Sequence, residues 1–148
     1  MKQAKWLLLA LLVVMLAACG GASATAVMPQ VPAASGAAVA EGALNLPASV
    51  DVQTVAQIQG RDDVLLLDVR EPWEYEEGHI PNVTLIPMND IPARLQEIPT
   101  DKTVIITCRS GNRSGQVAAF LRQNGFTNVH NMEGGILDWE KAGFAVDR

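Results

Sequence analysis

The segment Thr103-Val104-Ile105-Ile106-Thr107 is β-branched at every position. Side chains of this type lose freedom in a helix and pack well on a pleated surface, so this is the clearest strand in the chain. Val64-Leu65-Leu66-Leu67 is a second continuous apolar run, as a strand buried on both faces requires. Helical signals alternate with these runs. Val52, Val55 and Ile58 recur at helical spacing behind Asp51, a capping residue, and Gly60 ends the segment. Residues 90–98 are expected to form a short helix with Pro92 in its first turn. Residues 114–124 are expected to form a helix with Val117, Phe120 and Leu121 on one face and Gly125 as the stop. Residues 136–142 give a last helix before Gly143, and residues 83–86 and 126–131 add short strands. Strands alternating with helices at this spacing predict an α/β fold, with a mainly parallel central sheet and helices on both faces.

The amino-terminal third has a different character. Lys2 and Lys5 precede an apolar run over residues 6–18, 13 residues long. A bilayer span takes about 20 residues, so the run matches the apolar core of a signal peptide instead. It ends in Leu16-Ala17-Ala18-Cys19, followed by Gly20-Gly21. These residues resemble the lipobox of bacterial lipoproteins. The resemblance implies that residues 1–18 are a lipoprotein signal peptide and that Cys19 is diacylated and becomes the first mature residue. It also implies a protein exported to the cell envelope, anchored to a membrane through Cys19, with its domain on the extracytoplasmic side. An ordinary secretory signal and a plain signal anchor are the alternatives. Residues 20–48 hold ten Ala, four Gly and three Pro, with Glu41 as their only charge. Residues 19–48 therefore read as a lipidated cysteine and a flexible tether, spanning on the order of 30 Å. A short helix in the Ala-rich part is the other reading.

Residues 49–148 form the expected folded domain. They carry two Lys and seven Arg against eight Asp and seven Glu, a net charge of −6. With a whole-chain pI near 4.9, no basic face is available to displace counterions from phosphates, so no nucleic-acid partner is expected. Two cysteines and two histidines are too few for a disulfide framework or a Cys/His zinc site. Yet no acidic residue lies between Asp101 and Glu133, where Lys102, Arg109, Arg113 and Arg122 fall. An acidic domain thus keeps a cationic segment around Cys108, suited to a thiolate and a small anion.

In open parallel sheets, ligands bind beyond the carboxyl ends of the strands. The 103–107 strand runs directly into Cys108-Arg109-Ser110-Gly111-Asn112-Arg113-Ser114, and a helix follows. Backbone amides of this loop and the positive end of the helix dipole can converge on one point. Gly111 permits a tight turn and close approach. The arrangement favours a thiolate over a thiol and predicts a depressed Cys108 pKa. The competing readings are a buried structural thiol and a disulfide to Cys19, which acylation of Cys19 would forbid.

The same seven residues resemble the active-site loop of single-domain rhodaneses. Leu67-Asp68-Val69-Arg70-Glu71-Pro72-Trp73-Glu74-Tyr75 with Gly78-His79-Ile80-Pro81 is similar to that family's second signature. Asn131-Met132-Glu133-Gly134-Gly135-Ile136 with Trp139 and Gly143 is similar to its third. Asn82-Val83 departs from the Gly-Ala often found there, at a turn rather than at the chemistry. The resemblance covers residues 49–148 and implies a rhodanese-like fold and a sulfurtransferase. Cys108 would take the outer sulfur of a small anionic donor such as thiosulfate, then pass it from a persulfide to cyanide or a thiol, with no metal or organic cofactor. Arg109 is the candidate for binding the donor, and Ser110, Gly111, Asn112 and Ser114 complete the amide-lined loop. Arg113 either faces the anion or holds the loop by pairing with a carboxylate such as Asp68. Asp68 and Arg70 are expected to support neighbouring loops as an ion pair.

Two other functions remain in view. One is a persulfide carrier or interaction module with little turnover of free donor. The other is a phosphatase-like or arsenate-reductase-like enzyme, disfavoured because Cys108 and Arg113 are spaced C-x4-R where such phosphatases use C-x5-R. The remaining marked residues have structural readings. Glu71, Glu74, Glu76 and Glu77 are expected on a solvated face, and Trp73 and Trp139 in core packing. His79 is expected as a hydrogen-bonded structural histidine, with general base as the rival role, and His130 as structural or exposed. Gly134-Gly135 is expected to permit a tight turn.

Overall fold

The structure, a computed structural model, describes residues 44–148. The expected signal peptide, Cys19 and most of the tether lie outside the described residues. The elements are β1 (Ser49–Val50), α1 (Val52–Ile58), β2 (Val64–Asp68), α2 (Pro72–Glu77), β3 (Thr84–Leu85), β4 (Thr103–Thr107), α3 (Asn112–Gln123), β5 (Val129–Met132) and α4 (Gly135–Lys141). Two 3-10 segments, Met88–Ala93 and Leu95–Glu97, join β3 to β4. The sheet runs β1-β5-β4-β2-β3, and each neighbouring pair is parallel. The fold is the expected α/β arrangement, with helices on both faces of the sheet.

β4 lies in the middle of the sheet, and all five of its residues are buried. Alternate side chains enter two separate cores. Val104 and Ile106 pack with Leu67, Val117, Ala118 and Leu121 on the α3 side. Ile105 packs with Leu66, Met132, Val52, Val55 and Trp139 on the α1/α4 side. A strand with apolar neighbours above and below has no use for polar alternation, which accounts for the run of β-branched residues. α1 starts as the sequence indicates: the Asp51 carboxylate accepts a hydrogen bond from the Thr54 amide at 2.7 Å.

Several boundaries differ from expectation. Residues 90–98 do not form an α-helix; they split into 3-10 turns, because Pro92 removes a donor inside the segment and Arg94 leaves helical geometry at φ −120°. α3 begins at Asn112 rather than at 114, behind a Gly111 held at φ +91°. The last strand begins at Val129 rather than at 126, since the Phe126 amide is used to close α3 onto the Leu121 carbonyl. β1 and α2 are present beyond the elements expected from the sequence. At the Asn82-Val83 departure, Asn82 adopts φ +61°, a region that Asn tolerates better than most residues.

Trp139 is the largest fully buried side chain. Its Nε1–H donates to the Ala145 carbonyl at 2.8 Å, and its ring meets Phe144 at a centroid distance of 4.7 Å. It behaves as the core residue expected, but Trp73 does not: it stands 59 % exposed on α2. His79 is structural, donating from Nδ1 to the Tyr75 carbonyl at 3.0 Å and stacking on the Tyr75 ring at 3.8 Å. His130 is also structural, with Nδ1 2.7 Å from the Pro47 carbonyl. Trp139→Ala removes a ring that nothing nearby can replace, and should lower unfolding free energy by about 3–5 kcal/mol. Urea denaturation monitored by circular dichroism checks this. A loss below about 1 kcal/mol would show that the α4 core collapses around the gap.

Candidate active site

β4 delivers Cys108 to the carboxyl edge of the sheet, beside the end of β2. Two carbonyls of the following loop are then pinned by α4. The Ile136 amide donates to the Cys108 carbonyl at 2.9 Å, and the Leu137 amide donates to the Arg109 carbonyl at 3.1 Å. This contact explains the glycine pair. Gly135 has φ +57°, and a Cβ there would lie 2.4 Å from the Cys108 carbonyl oxygen. The expected tight turn is therefore also the point where α4 is pressed against the cysteine loop.

With its carbonyls held from behind, the loop turns its donors inward. The Gly111 amide lies 3.2 Å from Cys108 Sγ and the Ser114 hydroxyl 3.3 Å from it, both donating to sulfur. Cys108 is a free thiol, 1 % exposed. Burial pushes its pKa up. The Ser114 hydroxyl and the amides of Ser114, Ser110 and Gly111 outweigh that cost and hold the thiol below its ordinary value. The depressed pKa expected from the sequence is thus what the geometry gives, despite the burial of the sulfur. Donors of Ser110, Gly111 and Ser114 converge on the sulfur, and Asn112, the first residue of α3, is not among them.

Arg113 takes one of its two expected roles, with a different partner. Both terminal nitrogens of its guanidinium donate to the Glu74 carboxylate at 2.6 Å, which makes a bidentate clasp between α3 and α2. Glu74 is 6 % exposed, so its expected place on a solvated face is incorrect. Its second task is at the start of α2, where Oε2 accepts the Glu71 amide at 3.1 Å. The Arg113 guanidinium holds the Glu74 carboxyl below the usual carboxylate range. The sequence signal for this residue is the pattern Glu71-Pro72-Trp73-Glu74, a helix start with an acid three residues after the cap.

Asp68 and Arg70 form the expected ion pair, with a contact of 2.7 Å and both side chains buried. Arg70 also donates to the carbonyls of Glu74 at 3.0 Å and Gly78 at 2.9 Å. It thereby ties the middle and the carboxyl end of α2 to the end of β2. Beside the loop opens a cavity of about 250 Å³ lined by Arg70, Trp73, Glu74, Arg109, Ile136 and Leu137, among others. Arg109 is exposed on its wall and makes no ion pair among the described residues. Among the described residues no group of His, Cys, Asp or Glu is placed to hold a metal ion.

Ser114→Ala removes a donor to the thiolate, so the charged form is destabilised and the Cys108 pKa should rise. The pH profile of iodoacetamide alkylation should move to higher pH, with slower reaction at pH 7. An unmoved profile would show that the backbone amides alone set the pKa.

The chain is similar to known proteins in sequence and in fold. The family model for the Rhodanese-like domain matches residues 51–142. The chain is 43% identical over 98 residues to a sulfurtransferase of Allochromatium vinosum, covering 66% of this chain and 92% of that protein. It is 31% identical over 93 residues to a thiosulfate sulfurtransferase of Pseudoalteromonas translucida, covering 63% of this chain and 89% of that protein. The crystal structure of a rhodanese-related protein from Thermoplasma volcanium superposes with a TM-score of 0.62 at 32% identity, covering 68% of this chain and 98% of that one.

Proposed function

The chain belongs to the Rhodanese-like domain family, and on that premise we propose that it is a sulfurtransferase working through a Cys108 persulfide. Its donor is thiosulfate or a similar small anion, and its acceptor is a thiol or cyanide. The observation that carries this reading is the convergence of the Gly111 amide and the Ser114 hydroxyl on Cys108 Sγ. A thiolate is the competent nucleophile toward sulfane sulfur. It attacks the outer sulfur of thiosulfate, the donor S–S bond breaks, and sulfite leaves with the electron pair. The same donors stabilise the charge that passes to the persulfide, as in an oxyanion hole. The acceptor then attacks the outer sulfur, and Cys108 departs as the thiolate with which the cycle began.

Arg109 is assigned to the donor anion because its guanidinium stands on the cavity wall without an ion pair among the described residues. Arg113 is committed to Glu74, so its role is to hold the loop. That commitment, with the short C-x4-R spacing, argues against a phosphatase-like reading. The lipobox-like Leu16-Ala17-Ala18-Cys19 supports a further part of the proposal: export, acylation at Cys19, and a domain tethered on the extracytoplasmic side of a membrane. Two acyl chains anchor stably where one is marginal.

Intact-mass measurement after thiosulfate treatment tests the chemistry. The protein should gain one sulfur atom, lose it on adding cyanide, and gain none as Cys108→Ser. Hydrolysis of an aryl phosphate without any gain of sulfur would overturn the reading. Arg109→Ala should raise the KM for thiosulfate about tenfold, the effect of losing one charge-assisted contact. An unchanged KM would remove Arg109 from the donor site.

A further inference from the structure

Among the described residues, two large hydrophobic side chains are exposed: Trp73 at 59 % and Leu137 at 46 %. They come from different helices, α2 and α4, and both line the cavity beside the Cys108 loop. With Ile136 they give the cavity an apolar side that a small, hydrated anion does not need. The charges around it are divided. Arg109 and Arg70 stand on the wall next to the loop, and Glu77 and Glu140 line the same cavity on α2 and α4. Glu77 makes no ion pair among the described residues. Glu140 has only an exposed contact of 3.5 Å to Arg148, of a kind worth little and readily exchanged.

We propose that Trp73 and Leu137 form a docking rim for a cysteine-bearing polypeptide, in which an apolar and a basic side chain flank the thiol that accepts the sulfur. The proposal rests on the sulfurtransferase reading and specifies its acceptor. The apolar flank covers Trp73 and Leu137. The basic flank meets Glu77 and Glu140, and an Arg there can also stack on the Trp73 face. The incoming thiolate is drawn toward Arg109. It attacks the outer sulfur of the Cys108 persulfide, the Cys108–sulfur bond breaks, and Cys108 leaves as thiolate. The outer sulfur leaves as the acceptor's own persulfide, in the charge state it had on Cys108, with no net oxidation. A free aminothiol would leave the two apolar side chains wet. An anionic membrane surface and a second copy of this acidic domain would each bring negative charge against Glu77 and Glu140.

The test charges the full chain with thiosulfate and first confirms the added sulfur by mass. Failure at this step sinks the sulfurtransferase reading itself and is seen separately. The persulfide is then discharged with cyanide, with free cysteine, and with three cysteine peptides bearing Leu/Arg, Ser/Ser or Leu/Glu flanks. Each peptide rate is normalised to the same peptide's attack on a small organic persulfide, which removes differences in thiol acidity. The Leu/Arg peptide should react about tenfold faster than the Leu/Glu peptide at low salt, with the ratio shrinking as salt rises. Trp73→Ser should lower the ratio of Leu/Arg-peptide rate to cyanide rate about tenfold. Glu77→Lys should turn the preference toward the Leu/Glu peptide. Equal rates for the three peptides, or an unchanged ratio in Trp73→Ser, would overturn the proposal. So would free cysteine matching the best peptide, or a dimer in sedimentation that Trp73→Ser dissolves.

Discussion

A sulfur that is 1 % exposed can hold negative charge only if donors inside the protein replace the water it has lost. That requirement organises the carboxyl edge of the sheet. The Gly111 amide and the Ser114 hydroxyl supply the bonds to sulfur, but a loop of four residues between β4 and α3 does not hold inward-pointing donors unaided. Its carbonyls must be drawn the other way. α4 does this with the amides of Ile136 and Leu137, the first residues after the glycine pair. The helix comes near enough only because Gly135 has no side chain to strike the Cys108 carbonyl. The third signature of the sequence thus serves the chemistry of the first through the backbone.

α2 closes the other side. It is six residues long, too short to be stable through its own hydrogen bonds. Its position is set by charged contacts at its middle and carboxyl end: Arg70 takes the Glu74 and Gly78 carbonyls, and Glu74 takes the Arg113 guanidinium. Asp68 in turn balances Arg70 with a carboxylate that also accepts the Arg70 amide. Buried ions are costly when left alone, and here each has a partner and further hydrogen bonds. The result is a wall whose geometry follows from the same strand end that adjoins Cys108.

What the sequence reveals depends on whether burial or partnership decides a residue's place. β4 and its loop were legible because five β-branched residues have no polar alternation to reconcile, and a helix follows a Gly-containing turn. Asp68 with Arg70, and His79, were legible because their partners are near in sequence. Glu74 was not, since its partner Arg113 lies 39 residues away and only the folded sheet brings them together. Its neighbours Glu71, Glu76 and Glu77 made a solvated face the natural expectation. Trp73 failed for the opposite reason: large aromatic residues are usually mostly buried, and nothing local signals that a Trp faces solvent. The 3-10 region is not legible in the sequence, because Pro92 is compatible with the first turn of an α-helix as well as with a 3-10 turn.

The absence of acidic residues between Asp101 and Glu133 now has a physical account. That stretch comprises β4, the cysteine loop, α3 and all of β5. A carboxylate there would share a poorly screened interior with the thiolate and raise its pKa by like-charge repulsion. Glu74, which reaches the α3 side of the loop from α2, arrives with its charge met by Arg113, whose guanidinium also feels the Cys108 sulfur. Asp68, at the end of β2 beside the loop, has its charge met by Arg70, and exposed acids elsewhere in the domain are screened by water. The acidic net charge of the domain therefore does not describe the surroundings of the sulfur, where loop donors and paired charges set the balance.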